Sequence, residues 1–137
     1  MIDELAIQQT ISLYHEGASK PDLEQLIGTF LPNGVWEVPA LGFRCEGHAA
    51  MRDLMSAVLA PIEYLVQINA PAIIVVDGDR ASARSLVREC AKYRDQERPV
   101  DVVGQFTDDL ARTPTGWKFA HRRFAILGTD GQPGGRA

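Results

Sequence analysis

The stretch Val100 to Leu127, VDVVGQFTDDLARTPTGWKFAHRRFAIL, constrains the fold of this chain more than any other. It reads as a long β-hairpin. On the first arm Val102, Phe106 and Leu110 share one parity, with Gly104 and Asp108 between them. Thr113-Pro-Thr-Gly116 is a turn signal, after which Trp117 and Phe119 restart the alternation. A loop over 113–116 sets Arg112 opposite Trp117, Leu110 opposite Phe119 and Asp108 opposite His121. The apolar face then carries an acid and an imidazole as cross-strand neighbours. A one-residue bulge would instead turn His121 to the other face, because strand side chains alternate with a period of two.

The rest of the chain supplies partners for this hairpin. Residues 2–18 put Leu5, Ile7, Ile11, Tyr14 and Ala18 near helical spacing, which predicts an amphipathic helix. Ser19 is an N-cap candidate for a second helix. Pro21 follows it, Asp22 and Glu24 add negative charge to the first turn, and Leu23, Leu26, Ile27 and Phe30 form the apolar face. Short strands are expected at Val35–Val38 and Phe43–Glu46, around Pro39 and Gly42. Gly47 opens a third helix through Leu59, ended by Pro61. Residues 63–76 are β-rich and broken by Pro71, which argues for a bulge or an edge position. Asp77-Gly78-Asp79 is a hairpin turn, and residues 80–94 form the returning strand. Residues 128–137, GTDGQPGGRA, offer little apolar surface and are expected to be a disordered tail after a single domain of residues 1–127.

Helices segregated against one antiparallel sheet give an α+β class. A strongly curved, mostly antiparallel sheet around about three N-terminal helices makes a cone-shaped barrel whose open mouth suits a small molecule. At 137 residues the chain is long enough to bury about two thirds of its unfolded surface. A net charge of −4 gives no reason to expect nucleic acid or an anionic membrane as partner. No apolar run reaches the roughly 20 residues that span a bilayer. Asp3 and Glu4 stand where a signal peptide would be basic, so the cytoplasm is the default. Cys45 and Cys90 make no disulfide framework and are expected to be reduced and buried. His15, His48 and His121 lie far apart without ligand spacing, so neither metal nor cofactor is expected.

Several segments together resemble a known family. They are Tyr14 followed by Asp22, FLPNGVWEVP, the helix start at Gly47, VDGDRASARS, and FTDDLARTPTGWKFAHRRF. Over roughly residues 3–127 the chain resembles the SnoaL-like branch of the nuclear transport factor 2-like superfamily, whose scytalone dehydratase-like and ketosteroid isomerase-like members share a cone-shaped barrel. The resemblance implies a homodimer through the sheet and either enzymatic or purely binding roles. It also implies departures. The dehydratase-type aspartate position falls at Ser19, and its two histidine positions fall at Gln67 and Cys90. A serine, an amide and a thiol hydrogen-bond but do not readily shuttle protons at neutral pH. The ketosteroid isomerase-like base position is Val38, whereas its oxyanion-hole acid position is Asp108. Tyr14 matches a pocket donor of some dehydratase-like members.

The candidate catalytic residues are therefore Asp108, His121 and Tyr14: His121 as base, Asp108 as its orienter, Tyr14 as donor to developing negative charge. Asp108 alternatively forms a structural ion pair with Arg88 or Arg122. Candidate substrate-binding residues are Gln67, Arg88, Cys90, Ser19, Trp36, Asn69 and Phe106. Arg88, sharing parity with Leu86 and Cys90, is expected inside the cone, as an anchor for an anionic ligand or a counter-charge for Asp108. Gln67 and Asn69 either bind a ligand carbonyl or satisfy a bulge at Pro71. His15 and His48 are expected to face solvent. Two functions follow: a cofactor-independent lyase or isomerase acting on a small apolar substrate, or a non-catalytic ligand-binding module.

Overall fold

The computed structural model describes residues 2–134. Its elements are helices α1 (Asp3–Ser19), α2 (Leu23–Ile27) and α3 (His48–Leu59), and strands β1 (Phe30–Val38), β2 (Phe43–Glu46), β3 (Ile62–Asn69), β4 (Ile73–Asp77), β5 (Arg80–Tyr93), β6 (Val100–Thr113), β7 (Gly116–Thr129) and β8 (Gln132–Pro133). The sheet runs β2-β1-β7-β6-β5-β3, with β4 also on β5 and β8 also on β7. The hairpin β6–β7 is thus central. Every pairing is antiparallel except β1 on β7, which is parallel. The result is an α+β cone, a curved sheet that does not close, wrapped around α1.

The core follows from the alternation. Phe106, Leu110, Trp117 and Phe119 are all buried, as the hairpin pattern predicts. Ile7, Ile11 and Tyr14 come from the apolar stripe of α1, and Met51 and Met55 from that of α3. The chain leaves β3 at Asn69 and rejoins β5 at Ile73, so Ala70-Pro71-Ala72 is an interruption between two strands that share one neighbour.

Three local expectations are corrected. Ser19 closes α1, and the cap of α2 is Asp22, whose Oδ1 accepts from Gln25 N at 3.1 Å. Phe30 begins β1 instead of ending α2, because it pairs with Phe119 of β7, and the pairing resumes at Val35 after an irregular stretch that holds Pro32-Asn33-Gly34. Of the expected tail 128–137, Gly128 and Thr129 belong to β7 and pair with Pro133 and Gln132 of β8. The remainder, 135–137, lies outside the described residues.

Two bulges shape β7. Leu110 pairs with Phe119 but Asp109 pairs with His121, so Ala120 is the extra residue. The bulge sits where β1 joins β7: Phe119 N donates to Thr29 O, Phe30 pairs with Phe119, and the next pair is Val35 with His121. Further on, Val103 pairs with Gly128 and Gly104 with Ile126, so Leu127 is a second extra residue.

Candidate active site

A cavity of about 290 Å³ lies between the sheet, α1 and α3. Most of its wall is apolar, including Leu26, Val38, Met55, Leu65, Val87 and Val102. Rings of Tyr14, Trp36, Phe43, Tyr93, Phe106 and Phe124 supply much of the rest. The polar side chains in the lining are few: Tyr14, Gln67, Glu89, Tyr93 and Thr129, with the indole of Trp36. Among the described residues that line it, Glu89 alone carries a formal charge.

The polar groups form a directed chain. Gln67 Nε2 donates to Glu89 Oε1 at 2.7 Å. That leaves Gln67 Oε1 as an acceptor, so the partner nitrogen 2.7 Å away, His15 Nδ1, carries the proton. His15 Nε2 is then a lone pair, and Arg122 Nη2 donates to it at 3.3 Å. Burial lowers the His15 pKa to about 3, and the Arg122 guanidinium pushes in the same direction. The imidazole is neutral, with both nitrogens engaged, and has no lone pair left for a substrate. Burial raises the Glu89 pKa, with the Gln67 hydrogen bond opposing it. Gln67 is itself held in place because its backbone N–H donates to Ser19 Oγ at 3.2 Å.

Beneath the cavity floor lies a second polar group. Arg122 is fully buried, with its guanidinium carbon 3.8 Å from the ring centre of Phe106, 4.2 Å from Tyr14 and 4.5 Å from Phe119. Its Nε stands 3.1 Å from Asp108 Oδ1, off the hydrogen-bond line, so neither oxygen of this buried carboxylate has a hydrogen bond from the described residues. Burial raises the Asp108 pKa to about 6, against the lowering effect of Arg122. Tyr14 belongs to both layers. Trp36 Nε1 donates to its hydroxyl oxygen at 2.9 Å, which leaves the hydroxyl proton as a donor. Burial raises the Tyr14 pKa to about 12, so the phenol keeps that proton.

Set against the residues singled out from sequence, Tyr14, Gln67, Trp36 and Phe106 line the cavity. Asp108 faces inward but lies one row below, paired across strands with Arg122 instead of His121. The bulge at Ala120 turns His121 to the opposite face, where its Nε2 stands 3.3 Å from Glu37 and its side chain is 40% exposed. Arg88 and Cys90 are also on that face. Arg88 pairs with Asp101 at 3.1 Å, and Cys90 is half-buried away from the cavity. Cys45 is buried. Asn69 lies outside the lining, with its Nδ2 donating to Ala70 O. Ser19 supports the Gln67 backbone from outside the lining. His48 is half-buried, hydrogen-bonded through Nε2 to Phe30 O at 3.0 Å.

His15, Glu89 and Arg122 bring the site together, and sequence reasoning assigned none of them to it. Glu89 and Arg88 exchange places because the inner parity of β5 is Ala81, Ala83, Ser85, Val87, Glu89 and Ala91. The opposite parity carries Arg80, Arg84, Arg88 and Lys92, a basic row that signals the solvent face.

Residues 1–123 match the model of the SnoaL-like domain. The chain belongs to the SnoaL-like family. A relative with similar sequence is an uncharacterized protein of Mycobacterium tuberculosis, 26% identical over 121 residues, covering 88% of this chain and 82% of the relative. Among solved structures, the fold matches a candidate scytalone dehydratase from Novosphingobium aromaticivorans with a TM-score of 0.85, 22% identity, and 96% and 93% of the two chains covered. It also matches a hexachlorocyclohexane dehydrochlorinase, LinA type 2, with a TM-score of 0.83, 18% identity, and 97% and 89% covered. At these identities the likeness is one of fold. Within the SnoaL-like cone of this chain, the charged β5 side chain that faces the cavity is Glu89, one residue from the Cys90 position that the family resemblance implies.

Proposed function

We propose that this protein is a cofactor-independent lyase or isomerase that moves a proton on a small, mostly apolar substrate. The observation that carries the reading is the pairing of one partly desolvated carboxyl, Glu89, with one proton-bearing phenol, Tyr14, in the wall of the same apolar cavity. Glu89 takes a proton from a carbon next to an oxygen-bearing centre. Tyr14 donates to the oxygen on which charge develops, and the Trp36 N–H on its own oxygen strengthens that donor. Returning the proton to another carbon gives an isomerase, and expelling a leaving group gives a lyase. His15 and Arg122 hold the Gln67 amide so that its N–H points at Glu89. The dehydratase and dehydrochlorinase neighbours, both names for eliminations, support a reaction of this class. Two unpaired thiols support a cytoplasmic location.

The test is a panel of hydroxylated, halogenated and keto ring compounds, followed by mass spectrometry for loss of water or acid and by NMR for double-bond migration. Glu89→Gln should lower turnover about a hundredfold or more, as loss of a general base does. Equal turnover by wild type and Glu89→Gln would sink this assignment. A binding module is the second reading, favoured by the locked neutral His15. It predicts a ligand retained in native mass spectra with no turnover by either form.

A further inference from the structure

The charge of the cavity selects its ligand more narrowly than its size does. Glu89 lies on the inner face of β5 with Gln67 Nε2 as its protein donor, whereas an ionised carboxylate accepts about four hydrogen bonds. Among the described residues, neither Lys, Arg nor His lines the cavity. The nearby guanidinium, Arg122, is spent elsewhere: it is covered by the rings of Tyr14, Phe106 and Phe119 and stands against Asp108. An anionic ligand would therefore bring a second negative charge beside Glu89 with no cation to meet either one. A neutral apolar ligand would strip water from Glu89 and leave most of its acceptor capacity unfilled. A cationic nitrogen meets both demands. Its N–H groups make charge-assisted bonds to the carboxylate, and its charge sits among aromatic faces.

We propose that the ligand of this cavity is a ring compound bearing a protonated amine, with the ammonium N–H groups donating to Glu89 and the ring lying against Phe106 and Phe124. The proposal deepens the functional reading above and rests on its choice of cavity. A cation beside Glu89 also keeps it ionised, which is the form that accepts a proton.

The probes are a matched set on one bicyclic ring: 2-naphthylmethylamine, 2-naphthalenemethanol and 2-naphthoic acid, each titrated into the protein at pH 7 by calorimetry and by ligand-observed NMR. The amine should bind about tenfold or more tighter than the alcohol, and the acid should be weakest. In Glu89→Gln, checked for folding by circular dichroism, the amine's advantage over the alcohol should vanish, with the amine losing far more affinity than the alcohol. Equal binding of amine and alcohol to the wild type, or strongest binding by the acid, overturns the proposal without any variant and leaves the cavity reading in place. An amine preference that survives Glu89→Gln also overturns it, because the cation is then held elsewhere. Failure of all three probes to bind removes both the proposal and the cavity on which the functional reading stands.

Discussion

His15 is a histidine whose neighbours forbid its charge. In the unfolded chain it titrates near its ordinary value of 6.5, and in the folded protein near 3. Between those values the unfolded state binds a proton that the folded state does not, so the residue's contribution to stability is lost as pH falls. Asp108 acts the other way. Its folded pKa is raised to about 6, so between about pH 6 and its ordinary 3.8 the folded state holds the extra proton and stability is gained as pH falls. The two effects oppose each other between about pH 6 and 4, and a variant separates them. The stability of the wild type minus that of His15→Gln should fall by roughly 1.4 kcal/mol per pH unit over that window. Urea melts at pH 7, 6, 5 and 4 measure it, and parallel pH profiles would rule it out. At pH 7 the buried pair gives a second contrast. Asp108→Ala leaves Arg122 buried without its counter-charge and should cost about 3–5 kcal/mol. His121→Ala removes a half-exposed partner of Glu37 and should change stability by less than about 1 kcal/mol. Equal losses for the two variants would contradict the strand register described here.

The hairpin β6–β7 is the element on which legibility turned. Its inner residues on β6 were readable because Val102, Gly104, Phe106, Asp108 and Leu110 keep strict alternation, and the turn placed Leu110 opposite Phe119 correctly. The alternation does not reveal Ala120 as a bulge, because that bulge is set by β1, a strand distant in sequence that joins β7 in parallel. One inserted residue replaced His121 by Arg122 on the inner face, and with it the expected acid–base pair by a buried ion pair. On β5 the error had a local source. Leu86 suggested an inward face, while the small residues Ala81, Ala83 and Ala91 marked the true one. His15 was missed because a lone histidine on a helix carries no spacing signal. Gly104 shows what the alternation demands of one position. A Cβ there would stand 2.3 Å from Phe124 Cζ and 2.6 Å from Ala125 O. The Phe124 ring lies over this glycine and forms part of the cavity wall. Gly104→Ala should therefore destabilise by about 1–3 kcal/mol and shift the Phe124 ring resonances. A variant with unchanged melting and unchanged ring shifts would show that the ring has room to spare.

At the scale of the whole molecule, the inner face of the sheet is filled by helices and cavity, and the outer face is left bare. Val66 and Ile68 of β3, Ile73 and Val75 of β4, Leu86 of β5, Val103 of β6 and Leu127 of β7 are each 41–67% exposed. Single exposed aliphatic residues need no explanation, but a row of them across adjoining strands is the kind of patch that marks an interface. Basic and acidic side chains stand among them: Arg84 pairs in register with Ile73, and the Arg88–Asp101 ion pair crosses from β5 to β6. We propose that a second copy of the chain covers this face. A curved sheet meeting its own copy through a two-fold axis makes an isologous contact, which closes on itself, and the cavity lies against the other face of the sheet. A stable contact of this kind buries roughly 800 Å² per partner. Sedimentation velocity at micromolar concentration should therefore give a dimer. The double substitution Val75→Glu, Leu86→Glu puts like charges on both sides of the contact and should give a folded monomer with an unchanged circular dichroism spectrum. A wild type that sediments as a monomer throughout the micromolar range would overturn the dimer, and a charged variant that remains dimeric would move the interface off this face.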